Sequence, residues 1–501
     1  MKKGGLLHAV SSAMGARVGM AVLNFGLFWM LSHQLGTAAL GGYSVLMNVW
    51  YLAAMLPLLG LSGPLTRRAA TDRQPEALRR EISNALWFAL PVTLLLAALI
   101  AVAGAQAYGE PLRLPFLLLG LSLLPSAVTL VTESTLIGLE RMADVSRVQF
   151  AEAALRTGLS VLAIHHGAGL TGVFAVWLGL RVAAAGVYQF HPALPRFSMA
   201  AVSREVQRRN WGEVPVFLGI VLMAAVTARV DMLLLSRIEG LHEVGIYAAA
   251  ARLYEASLML PTIAAMAMMP TLARLFQDAP DEFRRMLLVA LRVNLGLGFA
   301  LALGVAALAQ PLIDLLYKPE VAAAAPVLRW LIFGAVLMTL DQILSSTMMA
   351  AKAQRHDLAA LGIALGSLVL GLALLVPHWH ATGAAMAVTL ALVGRVGYRL
   401  RWVVRLMALD GLALELARLI GCAGGAVGVM LLALGQGPWV ALPAAWLAYA
   451  ALLRLSGAWP PGALRRARAA WRARGQGAQG PGPDPERAGL TDVTDVKDAR
   501  P

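Results

Sequence analysis

A chain of 501 residues that is 59% hydrophobic and only 14% charged, with a mean hydropathy of +0.69, is too apolar for a soluble multidomain protein, where about a quarter of residues carry charge. It reads as a polytopic, all-α membrane protein. The single cysteine, Cys422, excludes a disulfide framework and a cysteine metal site, and the net charge of +14 would suit a nucleic-acid partner only if it were clustered on one surface.

The first residues, MKKGGLLHAVSSAMGARVGM, lack a compact apolar stretch ending in a small-residue cleavage site, so they read as the start of the first span rather than a signal peptide. Reading from one polar break to the next predicts about fourteen spans, near 13–33, 43–63, 83–104, 114–138, 147–165, 169–189, 213–236, 244–271, 286–309, 325–350, 358–377, 381–402, 412–433 and 438–456. The basic residues fall on alternate breaks. One side holds Lys2 and Lys3, the stretch from Arg67 to Arg80, Arg141, Arg196 to Arg209, Arg274 and Arg284, Lys352 and Arg355, Arg405, and the cluster from Arg465 to Arg474; the other holds only Arg113, Arg237 and Lys318. Under the positive-inside rule both termini are cytoplasmic and the number of spans is even. The basic balance is therefore a record of topology, and no nucleic-acid partner is expected. The outer breaks are all shorter than about twenty residues and hold no Asp-x-Asp pair, which argues against a membrane glycosyltransferase or polymerase. No Gly-rich phosphate loop of the P-loop type is present, so ATP-driven pumping is not expected. The tail after Arg474, rich in Gly, Pro and Asp, reads as disordered.

One phrase is written twice. At a constant offset of 204, Leu31, Ser32, Gly36, Gly41, Tyr43, Met55, Leu56 and Pro57 match Leu235, Ser236, Gly240, Gly245, Tyr247, Met259, Leu260 and Pro261 without a gap. The first copy covers spans one and two, the second spans seven and eight. Six spans separate them, so both halves cross the membrane in the same sense, as a parallel repeat about an axis along the membrane normal. The expected organisation is an N-terminal six-helix lobe over 1–195, a second six-helix lobe over 196–405, two extra helices and a basic end over 406–474, and the tail over 475–501. Two such lobes facing a midplane site form a transporter architecture.

RVDMLLLSRIEGLHEVGIYAAAARL, followed by a helix ending in PTLAR, resembles the aspartate-bearing seventh helix and Gly-x-Tyr start of the eighth in polysaccharide flippases of the multidrug/oligosaccharidyl-lipid/polysaccharide superfamily. LGTAALGGYS resembles the corresponding loop of the first half. The chain departs from that pattern at Met232, where many relatives carry a basic or bulky polar residue. The resemblance implies a flippase of the bacterial cytoplasmic membrane, moving an undecaprenyl-pyrophosphate-linked oligosaccharide to the outer leaflet by alternating access. It implies no catalysis and no cofactor, contact with membrane lipids, coupling to protons or sodium, and a polysaccharide polymerase as a partner. The alternatives are a cation-coupled multidrug exporter of the same superfamily and a flippase for a lipid II-type peptidoglycan precursor.

Glu133, Glu152, Arg156, Arg181, Arg229, Asp231, Arg252, Glu255 and Asp341 lie well inside predicted spans. At roughly 2.5 to 3.5 kcal/mol each, their exposure to lipid would cost more than about 20 kcal/mol, so they must face one another or a wet cavity. Guanidinium groups suit a pyrophosphate because they bond its oxygens bidentately and stay charged when partly buried. Arg181, without an acid on its own helix, is the foremost anion-site candidate, an ion pair with Glu133 or Glu152 being the alternative. Glu152 and Arg156 are spaced to pair on one face, as are Arg252 and Glu255; Arg229 and Asp231, two apart, cannot satisfy each other. Arg17 and Asn24 share a stripe of the first helix, although Arg17 can equally snorkel, as can Arg395 at the inner end of the twelfth. Arg181, Arg229, Arg252, Arg17, Asn24 and Arg156 are thus the expected substrate contacts. Asp231, Asp341, Glu133 and Glu255 are the expected coupling-ion residues.

Overall fold

The computed structural model describes residues 3–351, 353–407 and 412–457, and in them the chain is a bundle of helices. These are α1 (Lys3–Ala54), α2 (Ser62–Thr71), α3 (Pro75–Tyr108), α4 (Arg113–Gly138), α5 (Met142–His165), α6 (Gly169–Gln189), α7 (Arg204–Ile238), α8 (Leu241–Asp278), α9 (Pro280–Ala307), α10 (Ala309–Leu316), α11 (Ala324–Ala350), α12 (Gln354–Met407), α13 (Leu412–Leu434) and α14 (Pro438–Leu455). The first is broken at Gly36 (φ 81°) and the twelfth at His380 (φ 47°), so each comprises two segments. With α2 and α10 too short to span a bilayer, fourteen membrane-length segments remain. Taken alone, and among the described residues, α3, α4, α6, α9, α11, α12, α13 and α14 are long and apolar enough to cross a membrane.

The second segment stops earlier than the apolar pattern predicted. Helix α1 ends at Ala54, three residues before Pro57, whose ring cannot follow an α-helical residue comfortably. The chain then turns through Leu59 (φ 45°) and Gly60 (φ 87°) and re-enters the helical conformation in α2.

The repeated phrase has a three-dimensional counterpart. Gly36 (φ 81°, ψ 177°) and Gly240 (φ 87°, ψ −176°), 204 residues apart, have the same backbone conformation, which only glycine adopts without strain. A few residues on, a Cβ on Gly41 would overlap the carbonyl oxygen of Leu241, and a Cβ on Gly245 would overlap that of Thr37. Asn48 Nδ2 donates to Met232 Sδ at 2.9 Å, while the Arg252 guanidinium lies 4.9 Å from the Phe28 ring. In each set the second contact is the first with partners exchanged through the offset: 41 with 241 against 245 with 37, and 48 with 232 against 252 with 28. Reciprocal contacts of this kind are the signature of a two-fold relation. The two lobes meet backbone to backbone at the face bearing Gly36, Gly240 and His380, called the outer face below. A single apolar core, including Leu31, Leu40, Leu46, Leu235, Val244 and Tyr247, joins them there.

On the opposite, basic face the start of α7 is fastened to the first lobe. Arg68 bonds Glu213 at 2.7 Å and Asn210 at 3.0 Å, Arg209 bonds Glu81 at 2.6 Å, and Arg80 bonds Glu205 at 2.9 Å. Helices α13 and α14 pack on α9, where Trp446 Nε1 donates to the Ala300 carbonyl at 2.8 Å and the Tyr449 hydroxyl to that of Gly296 at 3.2 Å.

Candidate functional site

Between the lobes, below the outer seal, α1, α7, α8, α11 and α12 enclose a cavity of about 410 Å³ whose polar lining includes Asn48, Arg229, Asp231, Tyr247, Glu255 and Arg395. Its charges form one chain across the lobe boundary. Arg229 Nη1 donates to Asn48 Oδ1 at 3.2 Å and lies 3.7 Å from Glu255 Oε1; Glu255 Oε2 accepts from Arg252 Nη1 at 2.9 Å. Both guanidinium groups rest on rings of the first lobe, Arg229 at 4.8 Å from Tyr51 and Arg252 at 4.9 Å from Phe28. Aromatic faces hold a cation in place without neutralising it. Asp231 takes its partner from α8, accepting from the Tyr247 hydroxyl at 2.7 Å. The geometric objection to an Arg229–Asp231 pair on one helix is met by giving each residue an inter-helix partner.

The remaining intramembrane charges take their partners within single lobes. Arg181, expected foremost as an anion site, bonds Glu152 through two parallel contacts, Nε to Oε1 at 2.8 Å and Nη2 to Oε2 at 2.7 Å, and reaches Thr129 at 3.2 Å. Glu152 therefore pairs with Arg181 and not with Arg156, four residues along its own helix, because the guanidinium fork of Arg181 meets both carboxylate oxygens at once. Arg156 instead donates to Asn24 Oδ1 and lies 4.7 Å from the Trp177 ring. Glu133 accepts from the Tyr188 hydroxyl at 3.0 Å and from Gln149 at 3.1 Å. Asp341 is gripped by Arg395 at 2.8 Å and Arg399 at 2.6 Å, and Arg399 continues to Asp357 at 2.8 Å. Arg395 does not snorkel: it is buried, and extending it toward water would strip Asp341 of a partner. Arg17 belongs to α1, but its side chain lies outside the described residues.

Exposure separates the two groups. The side chains of Arg229, Arg252 and Glu255 are 31%, 30% and 41% exposed, whereas those of Arg181 and Glu152 are 12% and 8% and that of Arg399 is 3%. A ligand can reach the first set without unpacking a lobe. The rings of Tyr51 and Phe28 and the hydroxyl of Tyr247 were not expected as site elements, since apolar or aromatic residues inside a span give no sign of which cation they will face. Arg399 was legible in principle, four residues after Arg395 and so on the same helix face.

At the outer face, between two spans, His380 Nδ1 lies 2.7 Å from Glu239 Oε2, and Glu243 accepts from the Ala381 amide at 3.0 Å. These contacts tie the break in α12 to the α7–α8 connection. The hydrogen bond that the imidazole donates to Glu239, and the negative charge of that carboxylate, raise the imidazole pKa above its ordinary 6.5. A folded-state pKa raised in this way gives a contribution that is fully present below the ordinary value and is lost as pH rises through the raised one. Hydrogen exchange at the amides of 378–383 is accordingly expected to quicken as pH climbs from about 6.5, after correction for intrinsic rates, and to lose that dependence in His380→Asn. Protection that does not change with pH in the unsubstituted protein would show that the imidazole charge plays no part.

A family model described as a polysaccharide biosynthesis protein matches residues 6–276, more than half of the chain. The chain belongs to that family. A second model, MatE, matches residues 215–375. A search of curated proteins finds no match. Among solved structures, the lipid II flippase MurJ in an inward closed conformation aligns with a TM-score of 0.65 at 13% identity, over 88% of this chain and 98% of its own. A multidrug resistance MATE family transporter of the MOP superfamily, in an inward-facing conformation, aligns with a TM-score of 0.61 at 14% identity, over 78% of this chain and 96% of its own. At these identities the likeness establishes the fold, which is shared with both of these solved structures.

Proposed function

We propose that the protein is a flippase that carries an oligosaccharide linked to undecaprenyl pyrophosphate from the inner to the outer leaflet of a bacterial cytoplasmic membrane, with both termini in the cytoplasm. The observation that carries this reading is the Asn48–Arg229–Glu255–Arg252 chain, two partly exposed guanidinium groups held at the lobe boundary by a single, still more accessible carboxylate. A pyrophosphate brings more negative charge and more acceptor oxygens than one glutamate, so it displaces Glu255 and bridges both arginines. Because Asn48 belongs to the first lobe and the arginines to the second, the bound head group touches both, and its arrival alters the contacts on which the closed outer face depends. The glycan occupies the wet cavity while the polyprenyl tail stays in lipid between the lobes.

In this reading Arg229 and Arg252 bind substrate, and Arg156 with Asn24 lines the first-lobe wall of its path. Coupling to a proton or sodium ion falls to Asp231 and Glu255. Asp341 is set aside as a coupling residue, since an arriving cation would meet two guanidinium groups within 2.8 Å of its carboxylate. Arg181 and Glu133 are assigned to holding the first lobe together. Family membership is consistent with a lipid-linked glycan, and the MatE match over 215–375 makes the drug exporter the reading to be tested against it.

The test is reconstitution into vesicles with a fluorescent undecaprenyl-pyrophosphate oligosaccharide in one arm and a fluorescent cationic drug in the other. Protein-dependent exposure of the lipid-linked glycan to a membrane-impermeant quencher, without drug accumulation, is the expected result. Drug transport without glycan movement would overturn the proposal.

A further inference from the structure

A larger hollow than the central one lies on the side of the first lobe. Helices α3, α4 and α6, with the segment that follows α6, enclose a groove of about 860 Å³. Its depth comes from small residues, Ala127 on α4 and Ala185 and Gly186 on α6, set beside the helix-interrupting Pro125. A side chain added at Gly186 would meet nothing within 4 Å, so the space is open. Its walls are aliphatic, and its mouth is aromatic: Trp87, Phe190 and Phe197 ring the end nearest the basic face, Phe190 being 73% exposed. Aromatic residues ringing an apolar trough are the pattern of a membrane interface.

A charge stands at that mouth. The exposed Arg196 guanidinium lies 5.7 Å from the Phe190 ring and has no acidic partner among the described residues. Gln189, which lines the groove beside Phe190, makes no side-chain hydrogen bond among the described residues and offers a neutral donor. We propose that the groove holds the acyl chains of one resident anionic phospholipid from the leaflet at the basic face, its phosphodiester bonded by Arg196 and Gln189. One guanidinium matches the single charge of a phosphodiester. The occupant is a resident and not the transported carrier, because the helical walls α3, α4 and α6 all belong to one lobe: a lipid seated there moves with those helices and never meets the boundary that cargo must cross. Retention of a phospholipid requires no translocation, so this inference stands or falls apart from the transport reading.

Native mass spectrometry of the purified full chain, exchanged into equal amounts of phosphatidylglycerol and phosphatidylcholine with the same acyl chains, tests it. The unsubstituted protein is expected to retain phosphatidylglycerol over phosphatidylcholine by about tenfold, because either phosphodiester can meet the guanidinium but the choline cation of phosphatidylcholine is repelled by it. Arg196→Gln, a change at an exposed position, should erase the preference, chiefly by lowering retention of phosphatidylglycerol. Gly186→Leu, which fills open space, should lower retention of both lipids. The proposal is overturned if the unsubstituted protein holds the two lipids equally, if neither variant alters retention, or if undecaprenyl phosphate displaces bound phosphatidylglycerol, which would identify the groove as a seat for the carrier tail.

Discussion

Arg181→Ala is expected to destabilise the protein by about 3–5 kcal/mol, because it leaves the Glu152 carboxylate buried and unpaired. The substitution removes a two-point contact of 2.7 and 2.8 Å and empties the space beside the Trp50–Trp177 ring pair, 5.4 and 5.7 Å from the guanidinium. The measurement is thermal unfolding in detergent together with the amount of folded protein in the membrane. The sharper comparison is Arg181→Met with Glu152→Leu: replacing both members of a buried pair by apolar residues of similar size is often neutral or stabilising. A double variant that accumulates and transports would establish the pair as scaffold. A single variant that is fully stable yet inactive would return Arg181 to the substrate site.

Arg252→Ala and Arg229→Ala are expected to slow transport of the pyrophosphate-linked glycan by about 10- to 100-fold each while leaving the fold intact, since a hydrogen bond to a charged group contributes about 1.5–3 kcal/mol. Stability should change little, because both side chains are about a third exposed and their ion pairs with Glu255 are screened by water. Asn48→Ala should cost less than either, a neutral partner being weaker than a charged one. Arg252→Lys keeps the charge but loses the fork, and intermediate transport is the expected outcome. The exchange Arg252→Glu with Glu255→Arg separates two roles: recovery of transport would show that the two residues serve each other, and continued failure would show that the arginine serves the substrate.

The physics that made parts of this molecule readable also explains what stayed hidden. Spans come from composition, a local property of the chain. The repeat was legible because Gly36 and Gly240 perform the same turn and Gly41 and Gly245 the same close approach, and steric demands of that kind restrict the residue to glycine in both copies. Helical spacing correctly placed Arg252 beside Glu255, three residues apart. It failed for Glu152, where a partner 29 residues away on another helix offered better geometry than Arg156 on its own. It also failed for Arg395, whose position near a helix end looked like the setting for a snorkelling side chain until α11 brought Asp341 within 2.8 Å. Intervals of three and four residues record neighbours on one helix; the packing of helix on helix decides which of those neighbours is used.

The account requires that the two copies of the repeated phrase part at the outer face when a substrate sits between the lobes. Ala38 and His242, 204 residues apart, both exposed and flanking the Gly41–Leu241 contact, are suitable positions for spin labels on cysteines, with the native Cys422, which is buried, replaced by serine. Electron–electron distance measurement in reconstituted membranes should give one short distance without substrate and a second, longer population when the undecaprenyl-pyrophosphate glycan is added, with Arg252→Ala remaining in the short state. A distance that stays short at saturating glycan, in a preparation shown to move that glycan, would contradict alternating access through this face.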